Sequence, residues 1–272
     1  MKRHIKSILL IFIIIMLNIA CGNNNKTDKN PPQTFIPELI IYCENGVVTP
    51  IYEISLLFEK KYRCKVTIHN GTVRNLISMI DMSGSADLFI PDFNYGFSLL
   101  KQKQPKLIND SLYLGTNKLV FVVPKGNPEG FDGNIESLRQ NKYAIIIANP
   151  ETSLLGYKTK QALEQKNIYT QVVNNITTLS ADSRGLIQSI SDGNATIGID
   201  WVSSYFYNSN EKKVDTIYFT NQITEADIYA SVLSTSKNPG LAQTFLAVLS
   251  SPLAVKILKD YGIEKKKKGL TQ

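Results

Sequence analysis

Two loops near the start of the sequence carry residues that could bind a small anion. Asn45-Gly46-Val47 follows the apolar run at residues 39–43, and Gly71-Thr72-Val73 follows a second run at residues 64–68. Each loop leads into a segment whose apolar residues recur at helical spacing. The first N–H groups of a helix have no partner within it, and they lie at the positive end of the helix dipole. The spacing therefore predicts that backbone N–H groups of these two loops hold an anion.

The elements that must position these loops are two parallel strands, each followed by a helix. This alternation is typical of half an open α/β sheet, in which ligands bind beyond the carboxyl ends of the strands. The rest of the sequence continues the alternation and predicts an α/β fold. Further strands are predicted over residues 85–90, 118–125, 143–148, 171–173, 195–201, 214–219 and 228–234, and further helices over residues 94–102, 134–140, 154–166, 182–190, 239–249 and 252–261.

The first 36 residues predict export and attachment to a membrane. A basic segment at residues 2–6 precedes the apolar run at residues 8–17, and a small residue precedes Cys21. Residues 1–21 resemble the signal peptide of bacterial lipoproteins, in which the cysteine is lipidated and becomes the first mature residue. The alternative is an uncleaved N-terminal anchor, and either one places the domain outside the cytoplasmic membrane. Residues 22–36 are mostly polar and predict a flexible tether.

Composition and motifs favour neither nucleic-acid binding nor catalysis. The formal charge is +7, but the two ends, with the lysine run at residues 265–268, supply much of it, and the body between them is close to neutral. We therefore predict no nucleic-acid partner and a solvated C-terminal tail. The only histidines are His4 and His69, and no nucleophile elbow, P-loop, CxxC or HExxH motif is present. The sequence predicts no enzyme, no cofactor and no metal site, and Cys43 and Cys64 are expected to be unpaired because they fall at opposite ends of neighbouring strands.

Six short segments occur in the order and spacing of one known family. They are residues 85–90 (SADLFI), 122–128 (VVPKGNP), 149–157 (NPETSLLGY), 182–185 (DSRG), 198–201 (GIDW), and 236–239 (SKNP) with Tyr261-Gly262. Through them the chain resembles the molybdate- and tungstate-binding proteins of ABC importers, a branch of the type II periplasmic solute-binding proteins. The resemblance covers residues 37–263. It implies two α/β lobes, each an open, mostly parallel sheet flanked by helices, with two crossing strands as a hinge. Lobe 1 would comprise residues 37–119 and 217–272, and lobe 2 residues 120–216.

The resemblance also implies that neutral donors from both lobes enclose a tetrahedral oxyanion. All but one of these donors fall at or just inside a predicted helix start, where backbone N–H groups lack helical partners. Two of them depart from the family, because glycine replaces the usual serine in the first loop and tryptophan replaces the usual tyrosine in the last. Carried over by position, the donors are Gly46, Thr72 or Val73, the loop at residues 153–155 with Leu155, Ser183 and Trp201.

Two charged residues leave alternatives open at this site. Arg74, in the first turn of the second helix, either reaches the anion as a bidentate donor or points to solvent. Asp200 would repel an oxyanion unless it accepts a proton from the ligand, pairs with an arginine or coordinates a metal centre. It could equally point away from the cleft.

The sequence as a whole predicts a monomeric, lipid-anchored, extracytoplasmic protein that captures molybdate or tungstate for an ABC permease. One alternative is a binding protein of the same fold for phosphate, sulfate or ferric iron. Another is a ligand sensor without transport, since both uses need only a hinge closure that depends on the ligand.

Overall fold

The computed structural model describes residues 36–91, 94–108, 111–220 and 225–266. Within them the strands form one curled mixed sheet. The predictions for the signal peptide, for Cys21 and for nearly all of the tether lie outside the described residues. The strands are β1 (Glu38–Glu44), β2 (Lys65–Gly71), β3 (Leu88–Ile90), β4 (Leu112–Pro124), β5 (Ile145–Ala148), β6 (Ile176–Ser180), β7 (Ile197–Trp201), β8 (Val214–Ile217) and β9 (Glu225–Val232). Their order in the sheet is β2-β1-β3-β9-β4-β7-β5-β6, with β8 paired to β4.

Helices flank this sheet, and the α/β fold class predicted from the sequence is confirmed. None of the helices in the described ranges is by itself long and apolar enough to cross a membrane, although Pro239–Val248 and Pro252–Asp260 pass that test as a pair bent by 65°. The helices are α1 (Val48–Tyr62), α2 (Val73–Ser83), α3 (Asn94–Lys103), α4 (Leu154–Gln165), α5 (Tyr169–Val173), α6 (Ser183–Ser191), α7 (Val202–Tyr205), α8 (Pro239–Val248) and α9 (Pro252–Asp260), with 3₁₀ turns at Ile135–Arg139 and Tyr207–Lys212.

The first strand–helix–strand unit brings the two predicted anion loops together. β1 and β2 pair in parallel, with Glu44 opposite Gly71. The Asn45 N–H donates to the Gly71 carbonyl at 3.2 Å, and the Asn70 side-chain amide donates to Asn45 Oδ1 at 2.8 Å. Because both strands end at the same edge of the sheet, the loops that follow them are direct neighbours.

The long strand β4 changes partners along its length. Residues up to Lys118 pair with β9, whereas residues from Leu119 onward pair with β7, and the end of the strand also pairs with β8. A hydrophobic cluster around the second half of β4 contains Phe121 and Leu163, and separate clusters cover the faces of β1 and β3. The change of partners falls beside the lobe boundary predicted at residues 119/120; the boundaries themselves stay a prediction.

One predicted strand is wrong. Residues 171–173 belong to α5, in which the Val172 N–H donates to the Ile168 carbonyl at 3.0 Å and the Val172 side chain is buried. The strand comes later, at β6, which pairs in parallel with β5. The two adjacent valines suggested a strand because β-branched residues favour sheets, but packing overrides this weak preference.

The structure bears on the predictions for the two cysteines and for the C-terminal lysine run. No disulfide joins Cys43 and Cys64, as predicted, and both side chains are buried. Of the lysine run at residues 265–268 the structure describes the first two residues, and Lys266 Nζ lies 3.1 Å from Asp227 and 3.4 Å from Glu225 on β9.

Gly156 packs the start of α4 against the end of β5. A Cβ atom at this position would lie 2.4 Å from the Ala148 carbonyl oxygen and 2.4 Å from the Asn149 carbonyl carbon. Because backbone atoms cannot move aside, Gly156→Ala is expected to lower the free energy of unfolding by about 1–3 kcal/mol. The control is Gly240→Ala in α8, where nothing lies within 4 Å of the new Cβ. That change should raise stability by up to about 1 kcal/mol. Urea unfolding measures both, and a Gly156→Ala variant as stable as the wild type would contradict the packing.

Candidate functional site

Two helix starts and the end of β1 surround a cavity near the carboxyl ends of the strands. This main cleft has a volume of about 430 Å³. Three segments line this cleft. Glu44 is the last residue of β1, residues 72–74 form the start of α2, and residues 150–154 lead into α4. The remaining lining residues are Tyr95, Gly96, Leu99, Tyr157, Lys158 and Gln161.

The two helix starts in the main cleft lack a side-chain cap. Thr72 is the N-cap of α2 and Ser153 is the N-cap of α4, both with extended backbone, and neither side chain caps its helix. At α6, in contrast, Asp182 Oδ1 accepts a hydrogen bond from the Gly185 N–H at 3.0 Å. The first N–H groups of α2 and α4 therefore remain for water or a ligand, at the positive ends of two helix dipoles.

The main cleft contains charges of both signs. Arg74 is exposed in it, whereas Lys158 is 9% exposed. Glu44 is half-buried and Glu151 is exposed. The two cations strengthen the attraction for an anion that the helix starts create, and the two carboxylates oppose it.

Glu44 lies against the first predicted anion loop, although it is not among the site residues predicted from the sequence. Its Oε2 accepts a hydrogen bond from the Gly46 N–H at 2.7 Å. A Cβ atom at Gly46 would lie 3.3 Å from the same oxygen and 3.4 Å from Cδ1 of the buried Trp201. The N–H that the sequence assigned to a ligand thus donates to a carboxylate of the chain itself.

Part of the predicted site lines a second cavity of about 190 Å³ and not the main cleft. Asn45, Gly46 and Ser183 line this second cavity, whereas Thr72, Val73 and Arg74 line the main cleft. Leu155, Asp200 and Trp201 are at most 3% exposed and line neither cavity. Of the loop predicted at residues 153–155, Ser153 and Leu154 line the main cleft, whereas Leu155 does not.

Asp200 lies behind the second cavity as a hydrogen-bond acceptor. Its Oδ1 accepts from the Ser183 hydroxyl at 2.6 Å, from the Trp201 N–H at 2.7 Å and from the Ser204 hydroxyl at 3.2 Å. Its Oδ2 is buried and has no hydrogen-bond partner. Burial raises the pKa of this carboxyl group to about 7, although the three hydrogen bonds act in the opposite direction. Asp200 therefore positions the hydroxyl groups of Ser183 and Ser204.

A chain of polar contacts links the first loop to β4. The Ser203 hydroxyl donates to the Gly46 carbonyl at 2.5 Å, and the Asn117 side-chain amide donates to Ser203 Oγ at 2.8 Å. Asn117 is 1% exposed and Ser203 is 2% exposed. These contacts join residues that are 157 and 86 positions apart, so no local pattern in the sequence could have indicated them.

The comparisons with known proteins identify the family. The family model for bacterial extracellular solute-binding proteins matches residues 39–264. The chain belongs to this family. A relative from Bacillus subtilis, provisionally named ABC transporter substrate-binding lipoprotein YvgL, is 25% identical over an alignment 272 positions long that covers 96% of this chain and 98% of YvgL. The protein is accordingly a bacterial extracellular solute-binding protein.

Solved structures of other solute-binding proteins share the fold. The periplasmic molybdate-binding protein of Azotobacter vinelandii superposes with a TM-score of 0.71 at 16% identity, covering 84% of this chain and 100% of that one. The sulfate-binding protein SubI of Mycobacterium tuberculosis superposes with a TM-score of 0.74 at 15% identity, covering 85% of this chain and 88% of that one. At these identities the likeness shows a type II periplasmic binding protein fold, and the ligand has to be argued from the cleft.

Proposed function

We propose that the protein is a lipid-anchored solute-binding protein that captures an oxyanion in the main cleft and delivers it to an ABC permease in the cytoplasmic membrane. The observation that carries this proposal is the pair of helix starts at Thr72 and Ser153, neither capped by its own side chain, in one cleft. N–H groups at a helix start bind anions without a full positive charge, and Arg74 and Lys158 add charge at the same place.

Capture would combine donors from elements on different parts of the sheet. The α2 start follows β2, in the half of the sheet that includes β1 and β3, whereas the α4 start follows β5, in the half that includes β6 and β7. An anion bound by both starts holds the two predicted lobes together, and the hinge would lie in β4 and in the return from β8 to β9. Such ligand-dependent closure is the change that a permease can recognise.

Molybdate and tungstate are the oxyanions that the sequence resemblance favours, and a molybdate-binding protein shares the fold. Attachment through Cys21 follows from the predicted signal peptide and agrees with the name of the relative YvgL. The protein would act as a monomer, since one chain supplies both helix starts.

A panel of anions tests the proposed function. The melting temperature of the chain from residue 22 onward is measured with molybdate, tungstate, sulfate, phosphate or ferric iron. Calorimetry on unheated protein then measures the affinity for each of them. A ligand at one hundred times its dissociation constant adds about 2.7 kcal/mol of stability. For a domain of this size that corresponds to a rise in melting temperature of roughly 5–10 °C. Stabilisation by at least one oxyanion is expected; stabilisation by ferric iron alone, or by no member, would refute the proposal.

A further inference from the structure

Each of the two helix starts in the main cleft has a tyrosine near it. Tyr157 lies in the first turns of α4, where its N–H donates to the Ser153 carbonyl at 3.0 Å. Tyr95 lies at the start of α3, and the next residue, Gly96, packs against α2, since a Cβ atom there would be 3.4 Å from Cγ1 of Val73. An organic group attached to an oxyanion at these helix starts would therefore have both tyrosines within reach.

The rings of these two tyrosines are exposed and line the main cleft. Tyr95 is 45% exposed and Tyr157 is 46% exposed. The Gln161 side-chain amide donates to the Tyr157 hydroxyl at 2.9 Å, which restrains that ring. The two tyrosines come from different halves of the sheet, because α3 follows β3 and α4 follows β5. A ligand group that packs against both rings would bury apolar surface on two aromatic side chains.

The size of the main cleft is a second, independent observation. Its volume of about 430 Å³ lies in the range of roughly 300–1,000 Å³ that is usual for sites of organic small molecules. Leu99 adds an aliphatic side chain to the wall that carries Tyr95. A bare tetrahedral oxyanion would leave much of this space to water, whereas an organic group on the oxyanion would fill it and cover the tyrosine rings.

We propose that the main cleft binds an organic phosphate, with the phosphate at the two helix starts and the organic group packed against Tyr95 and Tyr157. The two tyrosines determine specificity, because they contact the part of the ligand that a bare oxyanion lacks. A phosphate monoester has three terminal oxygens, which can accept from both helix starts and from Arg74. This inference rests on the proposed function and narrows it to one class of oxyanion. Molybdate and tungstate would occupy the same helix starts and bind more weakly.

Two phosphate monoesters of equal charge test the organic group. The second pKa of such esters is about 6, so methyl phosphate and phenyl phosphate are both dianions at pH 7.5. Calorimetry measures the affinity of the chain from residue 22 onward for each of them. The wild-type protein is expected to bind phenyl phosphate at least about tenfold more tightly, because its ring buries apolar surface that a methyl group does not.

Variants at the two tyrosines show whether their rings cause this preference. In Tyr95→Ala/Tyr157→Ala the ratio of the two affinities should fall to about threefold or less, because the apolar faces are removed while both helix starts remain. In Tyr95→Phe/Tyr157→Phe the ratio should stay within about threefold of the wild-type ratio, since the rings persist.

Tyr218→Ala is the matched control. It removes a tyrosine ring that is 61% exposed and lines neither the main cleft nor the second cavity. A general effect of losing an exposed ring changes the affinities for both esters by the same factor, so the ratio should remain that of the wild type.

The outcomes separate this inference from the proposed function. If no oxyanion binds to the wild-type protein, the proposed function fails. If oxyanions bind but phenyl phosphate lacks the expected preference, only the organic class of the ligand is overturned. If the double alanine variant keeps the wild-type ratio, the role of the two tyrosines is overturned. Should that variant fail to fold in unfolding curves, Tyr95→Ala and Tyr157→Ala are measured singly, and each has to lower the ratio.

Discussion

Replacing Asp200 by asparagine is expected to remove a loss of stability that the wild-type protein undergoes between about pH 4 and pH 7. The carboxyl group is fully buried and its Oδ2 has no partner. Its pKa is raised from 3.8 to about 7, chiefly by desolvation. In this pH range the unfolded chain releases the proton and the folded protein keeps it, so stability falls as the pH rises and becomes constant above the folded pKa.

The expected magnitude is large for a single residue. A shift of one pKa unit corresponds to about 1.4 kcal/mol, so the contribution of Asp200 between pH 4 and pH 8 amounts to about 4 kcal/mol. Asparagine keeps an Oδ1 that can accept from Ser183 and Trp201, and its amide group does not ionise.

Urea unfolding at pH 4, 5.5, 7 and 8 measures this contribution as the difference between the wild type and Asp200→Asn. Other carboxyl groups titrate in both proteins and cancel in the difference. Asp192→Asn, at an exposed position after α6, is the control for the loss of a negative charge. If the stability difference between the wild type and Asp200→Asn does not change with pH, the buried carboxyl group is already ionised at neutral pH.

The elements with strong local signals were predictable from the sequence. β1, α1 and β2 follow from apolar residues at strand or helical spacing and from the glycine at the end of each strand, and the parallel pairing of β1 and β2 is confirmed. The start of α6 follows from Asp182, whose side chain does accept from a first-turn N–H. In contrast, the two valines at residues 172–173 carry a strand preference that tertiary packing reverses, and single-sequence patterns do not contain that packing.

The arrangement of the candidate site was only partly predictable. The sequence indicates which loops come together, because parallel strands end at one edge of the sheet. It does not indicate where side chains turn within those loops. Glu44 is not among the site residues predicted from the sequence, yet its carboxylate accepts from the Gly46 N–H. Nor does the sequence indicate that Trp201 and Ser203 pack against the Gly46 loop, which lies more than 150 positions earlier in the chain.

Removing the first N–H group of α2 and of α4 is expected to have the largest effect on ligand binding. Val73→Pro and Leu154→Pro each delete one backbone donor at a position where proline suits a helix, as it does in this chain at Pro239 and Pro252. The preceding residues are compatible, since ψ is 153° at Thr72 and 136° at Ser153. The fold should therefore tolerate both changes.

A hydrogen bond to a charged group contributes about 1.5–3 kcal/mol, so each proline should weaken oxyanion binding roughly 10- to 150-fold. The two helix starts belong to different parts of the sheet, and their effects should multiply in the double variant because independent sites are additive in free energy. Calorimetry measures the affinities, and unfolding curves confirm the fold.

Val73→Ala and Leu154→Ala are the matched controls, because they shorten the same side chains and keep the N–H groups. They are expected to bind within a few-fold of the wild type. If the alanine variants lose as much affinity as the proline variants, the side chains and not the backbone donors bind the ligand. If only one proline variant is impaired, the anion contacts a single helix start, and closure of the predicted lobes must then depend on another part of the ligand.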